Sequence, residues 1–436
     1  MLPSETLLTR TQTRQPQSFT LQCDYFERGI CASCTLIEQP YERQLADKQA
    51  RAAELLAPYC AADAQWLEPF ASLPENFRNK VKLVVTGTIE RPNLGILTDP
   101  ATGTGADLQG CPLPTLGIRS ALPALARFIT TAQLQPYNMA TDKGVLKYVI
   151  VMESPAGELM VRFVVRRRGA QGAIFRHFPE LEAALPQLRV CSINVQPEHK
   201  AIIEGAEEIF VTEATVLPMS LTLADFSDGE APSDGAPAST LDLQVRAQSF
   251  FQTNTDAAAV LYRRAQEWLA PRLAASAEGA EIWDLYCGVG GFALALAGRA
   301  KNENRHLVPT SQVPAVQIVG IETTEAAVTA ANHAAQASGV ANFTRFETGD
   351  ALSWARERDR TPIAVIVNPP RRGIGTELAG WLGKSGTPTI LYSSCNATTL
   401  ARDLAAMPEY RIVRAQVVDM FPHTRHFETI VLLEHR

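Results

Sequence analysis

The stretch Glu281-Ile-Trp-Asp-Leu-Tyr-Cys-Gly-Val-Gly-Gly-Phe292, running into the Ala- and Leu-rich segment from Ala293, decides the fold. An apolar strand enters a glycine-rich turn and leaves as a helix, which brings backbone amides close to a nucleotide-like ligand. The same texture repeats downstream. Val316-Gln-Ile-Val-Gly-Ile-Glu322 precedes a second Ala-rich helix, and Pro362-Ile-Ala-Val-Ile-Val-Asn368 and Pro388-Thr-Ile-Leu-Tyr-Ser-Ser394 continue the series. Apolar strands alternating with helices predict a doubly wound, mostly parallel sheet covered on both faces. Residues 246–436 are therefore read as an α/β, Rossmann-like domain.

Upstream the pattern changes. Glu38–Leu56 has the composition of a helix, and 80–210 reads as strands with turns. Alternation in Val145-Leu-Lys-Tyr-Val-Ile-Val-Met-Glu-Ser154 and Leu159-Met-Val-Arg-Phe-Val-Val-Arg-Arg-Arg168 predicts a half-exposed antiparallel sheet. Asp225–Thr240 is rich in Gly, Pro, Ser and Asp and reads as a loop, which puts a domain boundary near 240–246. Residues 23–240 thus form an α+β region behind a polar 1–22 tail, and 301–314 reads as an inserted loop.

With 436 residues, 46% of them hydrophobic and 20% charged, the chain can bury a large core, and disorder is excluded as its main state. No apolar run approaches the roughly 20 residues of a membrane span, and the first residues lack the pattern of a secretory leader. A soluble cytoplasmic protein is expected. A net charge of −6 argues against non-specific coating of nucleic acid but leaves room for a local basic face.

The chemistry concentrates at strand ends. Asp284, Tyr286 and Gly288 lie in the first turn, and Glu322 and Asp350 end the next two strands. Glu322 is placed to accept hydrogen bonds from ribose hydroxyls and Asp350 to lie near an adenine, so together they favour an adenosine-containing cofactor. Asn368-Pro-Pro-Arg371-Arg372-Gly373 follows a buried strand, where two prolines hold the chain extended at the ligand-binding edge. Methyltransferases acting on exocyclic amines carry an aromatic residue after a similar Asn-Pro-Pro, and here Arg371 replaces it. A dehydrogenase has no evident use for this motif, which tips the cofactor towards S-adenosylmethionine. Cys395, in Tyr392-Ser-Ser-Cys395-Asn396, precedes a helix whose N-terminus can stabilise a thiolate. Glu428, in Phe421-Pro-His423-Thr-Arg-His426-Phe-Glu428, can serve as a base. The two histidines lack a third ligand at sensible spacing and are not read as a metal site.

Eight cysteines occur at 23, 31, 34, 60, 111, 191, 287 and 395. In a reducing compartment a clustered subset points to metal or catalysis. Cys23, the Cys31-x-x-Cys34 pair and Cys111 supply four thiolates, which suit zinc or an iron–sulfur cluster equally by spacing. Cys60, Cys191 and Cys287 read as small buried hydrophobes.

Taken together, these motifs and Phe250-Phe-Gln-Thr-Asn254 resemble the RNA (uracil-C5)-methyltransferase family over nearly all of 23–436. The resemblance implies a four-iron–four-sulfur cluster on Cys23, Cys31, Cys34 and Cys111. It further implies S-adenosylmethionine contacts from Gln252, Tyr286, Glu322 and Asn368, with Cys395 as nucleophile and Glu428 as general base. The chain is most similar to the branch that methylates a uracil in a hairpin of 23S ribosomal RNA, because no room precedes Cys23 for an extra β-barrel domain. Such a uracil must be flipped out to meet a thiol. Seven Lys and Arg against two Glu across 143–176 offer a local net +5, with Arg166, Arg167 and Arg168 at its centre and Arg78, Lys80 and Lys82 beside it. These and Arg371 are the candidate RNA contacts, and no stable protein partner is implied. The competing readings are the same chemistry on another 23S rRNA uracil or on the tRNA T-loop uracil, an NAD-linked iron–sulfur oxidoreductase, and a non-catalytic ribosome-assembly factor.

Overall fold

The computed structural model describes residues 19–198, 203–223, 239–275, 277, 279–304 and 316–436. Most of the 1–22 tail, the 225–240 loop and the 301–314 insertion lie outside the described residues. Helix Gly291–Asn304 reaches four residues into the expected insertion.

The largest of the three sheets among the described residues has eight strands, in the order Cys60–Trp66, Tyr410–Val418, Glu428–His435, Thr389–Ser394, Ala364–Val367, Ala280–Leu285, Val316–Glu322 and Thr344–Thr348. All neighbours run parallel except Glu428–His435, which is antiparallel to both strands beside it. Strand order reverses at Ala280–Leu285, flanked by Val316–Glu322 on one side and Ala364–Val367 on the other. Such a switch point opens a crevice at the carboxyl ends of the strands. Helices Thr255–Ala274, Gly291–Asn304 and Glu325–Ala337 cover one face, and Ala351–Arg356, Gly375–Lys384 and Ala397–Ala405 cover the other. The doubly wound reading of the C-terminal part is borne out.

Two parts of the expected organisation differ. Cys60–Trp66 adds an edge strand to the larger sheet, so the N-terminal segment is built into the C-terminal unit. The boundary at 240–246 falls inside strand Ser239–Arg246, which pairs with Val216–Leu223 along its whole length. That ribbon packs its Leu and Val side chains onto the core around helix Thr255–Ala274.

The smaller, seven-stranded sheet is mostly antiparallel, with one parallel pair, Leu159–Val165 beside Leu188–Val195. Helices Leu116–Thr131 and Gln171–Ala184 cover one of its faces. The half-exposed sheet inferred from alternation is not found, since Leu159–Val165 is buried at every position. Met152, Met160 and Val190 of the second face are roofed by the Val216–Leu223 ribbon. Arg162, 1% exposed, is neutralised there by Glu204 at 2.9 Å and Glu208 at 2.5 Å. Alternation of polar and apolar residues reports two environments, but here both are interior.

Candidate active site

The glycine turn after Ala280–Leu285 is tight because its neighbours leave no room. A Cβ on Gly291 would stand 2.4 Å from the Tyr262 ring, and one on Gly290 would press on Phe346 at 3.0 Å with φ +83°. Tyr286 also adopts a left-handed backbone, φ 79°, a strained conformation typical of ligand-binding turns. Gly288 N donates to Glu322 Oε2 at 3.2 Å, which fixes the turn against the neighbouring strand end. Asp284 is fully buried. Its Oδ2 accepts from Ala293 N at 3.2 Å, whereas among the described residues Oδ1 has no partner, and burial raises the carboxyl to about 7. An orphaned buried carboxylate oxygen below this turn suits an ammonium donor from a ligand. Asp350 is exposed, and its Oδ1 caps helix Ala351–Arg356 through Ser353 N and Oγ, both at 3.0 Å. These bonds hold its carboxyl below the ordinary range. Tyr286 lies within electrostatic reach of Asp350 and Arg372.

Gln252 sits in the loop before Thr255–Ala274. Asn79 Nδ2 donates to its carbonyl at 3.1 Å, and Asn254 caps the helix while donating to Ser72 Oγ at 2.9 Å. Phe250, two residues before Gln252, is 68% exposed. Sequence reading passed over this ring. Its signal was available in Phe250-Phe251, since a helix-entry loop needs only one of the two to anchor it, and Phe251 is the buried one.

The remaining side chains meet because the last strand runs backwards. Glu428 is the first residue of an antiparallel strand, so it lies at the edge where the parallel strands end. There its Oε1 accepts from Ser393 Oγ at 2.7 Å and from Asn368 Nδ2 at 3.3 Å. Complete burial raises Glu428 to about 7, against the lowering effect of those two donors. Cys395 stands just beyond Ser393 and Ser394, half-buried and within electrostatic reach of Glu428. Burial pushes its thiol up and Glu428 adds to this, while Arg371, within hydrogen-bonding reach, opposes both. The helix that follows is capped by Asn396, which accepts from Thr398 N at 3.1 Å. The expected lowering at a helix start does not prevail, because desolvation of the thiolate outweighs it.

Arg371 therefore faces Cys395 rather than solvent alone. Its loop is clamped to the helix behind Cys395. Thr399 Oγ1 and Asn396 Nδ2 donate to the Arg371 carbonyl at 3.1 and 3.3 Å, and buried Asp403 accepts from Ile374 N and Tyr392 OH, both at 2.8 Å. Gly373 is obligatory, since a Cβ there would lie 2.2 Å from Asp403 Oδ2. His423 is buried, with Nε2 at 2.8 Å from the Pro74 carbonyl and Nδ1 at 3.3 Å from Gln44 Nε2, which leaves it as a packing residue.

The four N-terminal cysteines also converge. Cys34 is raised to about 12 by burial and by the proximity of Cys111, Cys31 and Cys23. The walls are Leu21, Ile37, Phe77 and Leu113. Among the described residues no group of three or more His, Cys, Asp or Glu side chains is arranged to hold a metal ion. Arg78, expected on an RNA-binding face, is instead mostly buried beside Cys34 and Cys111. Lys80 is likewise desolvated, which lowers it to about 8. Arg166 and Arg168 pair with Asp142 and Glu207, each at 2.6 Å, and Arg167 is exposed.

Residues 239–436 match the sequence model of the tRNA (uracil-5-)-methyltransferase family. The chain is 42% identical over 419 residues to the 23S rRNA (uracil(747)-C(5))-methyltransferase RlmC of Haemophilus influenzae, covering 95% of this chain and 99% of that protein. It is 40% identical over 415 residues to the RlmC of Glaesserella parasuis, covering 95% and 98%. Among solved structures it resembles the Pyrococcus abyssi tRNA (uracil-54, C5)-methyltransferase in complex with S-adenosyl-L-homocysteine. The TM-score is 0.68 at 25% identity, over 92% of this chain and 84% of that one.

Proposed function

The chain belongs to the RNA (uracil-C5)-methyltransferase family, and from that premise we propose that it methylates C5 of uracil 747 in 23S ribosomal RNA, using S-adenosylmethionine. The observation that carries this reading is the meeting of Cys395, Arg371, Glu428 and Asn368 at the carboxyl edge of the sheet, beside the glycine turn. An NAD-linked reductase would have no use for that quartet. A non-catalytic assembly factor would not need to bury a carboxylate beside a thiol.

S-adenosylmethionine supplies an electrophilic methyl group on a sulfonium. Asp284 would take its ammonium, Glu322 its ribose hydroxyls and Gln252, Tyr286 and Asn368 its remaining edges, with Gly288 giving the backbone room. Asp350 would do so only through the carboxylate face left by its cap. C5 of uracil is a weak nucleophile. Attack of the Cys395 thiolate on C6 places carbanion character on C5, which takes the methyl group. Glu428 then removes the C5 proton, and the C6–S bond breaks to release Cys395. In the free protein burial and Glu428 disfavour the thiolate of Cys395. Arg371, and the positive charge arriving with the cofactor, would favour the anion when it is needed. The exposed Phe250 ring gives a flipped base a surface to stack on. Arg166, Arg167 and Arg168 would meet phosphates, the surface ion pairs of the first and third costing little to open.

For Cys23, Cys31, Cys34 and Cys111 we infer a four-iron–four-sulfur cluster, with a structural role. Burial and the neighbouring thiols make the anions of Cys34 and Cys111 costly, which calls for a cationic group among the four. Cys23, Cys31, Cys34 and Cys111 would hold the cluster, and mostly buried Arg78 would offset its negative charge. Anaerobically purified protein is expected to hold about four irons and four acid-labile sulfides per chain, lost in Cys34→Ser. Stoichiometric zinc in their place would overturn this assignment.

The target is tested with rRNA from cells lacking this modification, set against unmodified tRNA and labelled cofactor. Label is expected in the 23S hairpin alone. Label in tRNA alone would keep the chemistry and reject the target.

A further inference from the structure

The two carboxyl oxygens of Glu428 are not equivalent. Oε1 accepts from both Ser393 Oγ, at 2.7 Å, and Asn368 Nδ2, at 3.3 Å, while among the described residues no hydrogen bond reaches Oε2. Ser393 is fully buried on strand Thr389–Ser394, where it pairs with Ile430 of the antiparallel strand. Its hydroxyl therefore reaches diagonally, two residues along the partner strand, to Glu428. A buried serine on a strand interior is costly unless its hydroxyl is satisfied, and here the acceptor is an ionisable group.

We propose that Ser393 is a positioning residue for the base: its hydroxyl pins Oε1, favours the carboxylate over the carboxylic acid, and leaves Oε2 as the atom that takes the C5 proton. This rests on the reading of Glu428 as general base. In that step the proton passes from C5 to Oε2. The C5–H electron pair becomes the C5–C6 double bond, and the C6–S pair returns to Cys395 as thiolate.

The other groups around Glu428 do not supply this effect. Cys395 follows the same strand as Ser393 and, when ionised, repels the carboxylate. Tyr262 faces it from helix Thr255–Ala274, with Asp284 beyond, and strand Tyr410–Val418 presents apolar Val418. Arg371 faces Cys395 from the loop after Ala364–Val367. Asn368 is the other donor to Oε1, at the longer distance. Ser393 is thus the shortest hydrogen bond that holds the charge on Glu428.

The test follows decay of the covalent RNA adduct in single turnovers of the full chain, from about pH 6 to about pH 9. In the wild type the decay rate rises with pH as Glu428 ionises, with a midpoint near its value of about 7. In Ser393→Ala the limb is expected to move up by about one pH unit, with decay about fivefold slower at neutrality and equal to wild type at the alkaline end. Adduct formation should keep its wild-type rate, and Ser393→Thr, which retains the hydroxyl, should keep the wild-type limb. A Ser393→Ala profile superimposable on wild type, or one lowered by the same factor at every pH, would overturn the proposal. Glu428→Gln run in parallel separates the two claims. If it stalls as adduct while Ser393→Ala is unshifted, only the role of Ser393 is rejected; if it turns over normally, the base itself is misassigned and the proposal falls with it.

Discussion

Cys395→Ala is expected to abolish methyl transfer, with a loss of at least about 10⁴-fold, because no other group can raise electron density at C5. Removing one sulfur from a half-buried position beside a capped helix should leave the fold and cofactor affinity intact. The decisive readout uses RNA containing 5-fluorouracil. Fluorine at C5 cannot leave as a proton, so the wild type should form a methylated covalent complex that survives a denaturing gel. Cys395→Ala should form none. Cys287 and Cys60, the other cysteines built into the eight-stranded unit, are respectively buried against the glycine turn and placed at the far edge strand. An adduct persisting in Cys395→Ala would therefore dismantle the mechanism rather than move it to a neighbour.

Glu428→Gln is expected to separate the two halves of the reaction. Attack by Cys395 and methyl transfer need no base at C5, so adduct should form with ordinary uracil RNA and then persist. Turnover should fall by about 10²–10⁴-fold, the usual contribution of a positioned base. The same substitution should stabilise the protein. Glu428 titrates at about 7 when folded against an ordinary value of 4.5, so its folded value is raised. A raised value means that the native state keeps a proton that the unfolded chain releases. The associated stability is fully present below about pH 4.5 and is lost as pH rises through about 7. Glutamine removes that loss, which amounts to about 3 kcal/mol near pH 8. Melting temperatures compared across pH check the sign: the variant should exceed wild type at pH 8, and the gap should close towards pH 4. A gap independent of pH would mean that the carboxyl is not held protonated by burial. A base stored as a destabilising buried acid is a trade of stability for activity.

Much of the site could be read in the chain because each part is local. The glycine turn after Ala280–Leu285, the two prolines after Asn368 and the cysteine ahead of a helix are short-range features whose backbone needs are met within a few residues. Their presence at successive strand ends also put them on one edge, since parallel strands with crossover helices all terminate on the same side. Arg371 was legible as a residue but not as a partner of Cys395. A charged side chain in a proline-rich loop reads as solvated, and its direction is set by Asn396, Thr399 and Asp403, which lie 25 or more residues away. Arg162, one of the seven basic residues counted across 143–176, differs for the converse reason. Its environment is decided by Glu204 and Glu208, some 40 residues on, which turn a surface charge into a buried ion pair.

The sequence by itself determined the doubly wound α/β unit and its cofactor edge, and it singled out Cys395 and Glu428 as the proposed nucleophile and base, because strand periodicity, glycine turns and residue chemistry act over short stretches. Only the tertiary structure decided that Cys60–Trp66 joins the C-terminal sheet, that Arg78 lies with the cysteines, and that Ser393 grips Glu428. Each of these depends on one reversal of direction or one long loop closure. The antiparallel final strand brings Glu428 to the carboxyl edge, and no pattern local to either strand encodes which neighbour it will choose.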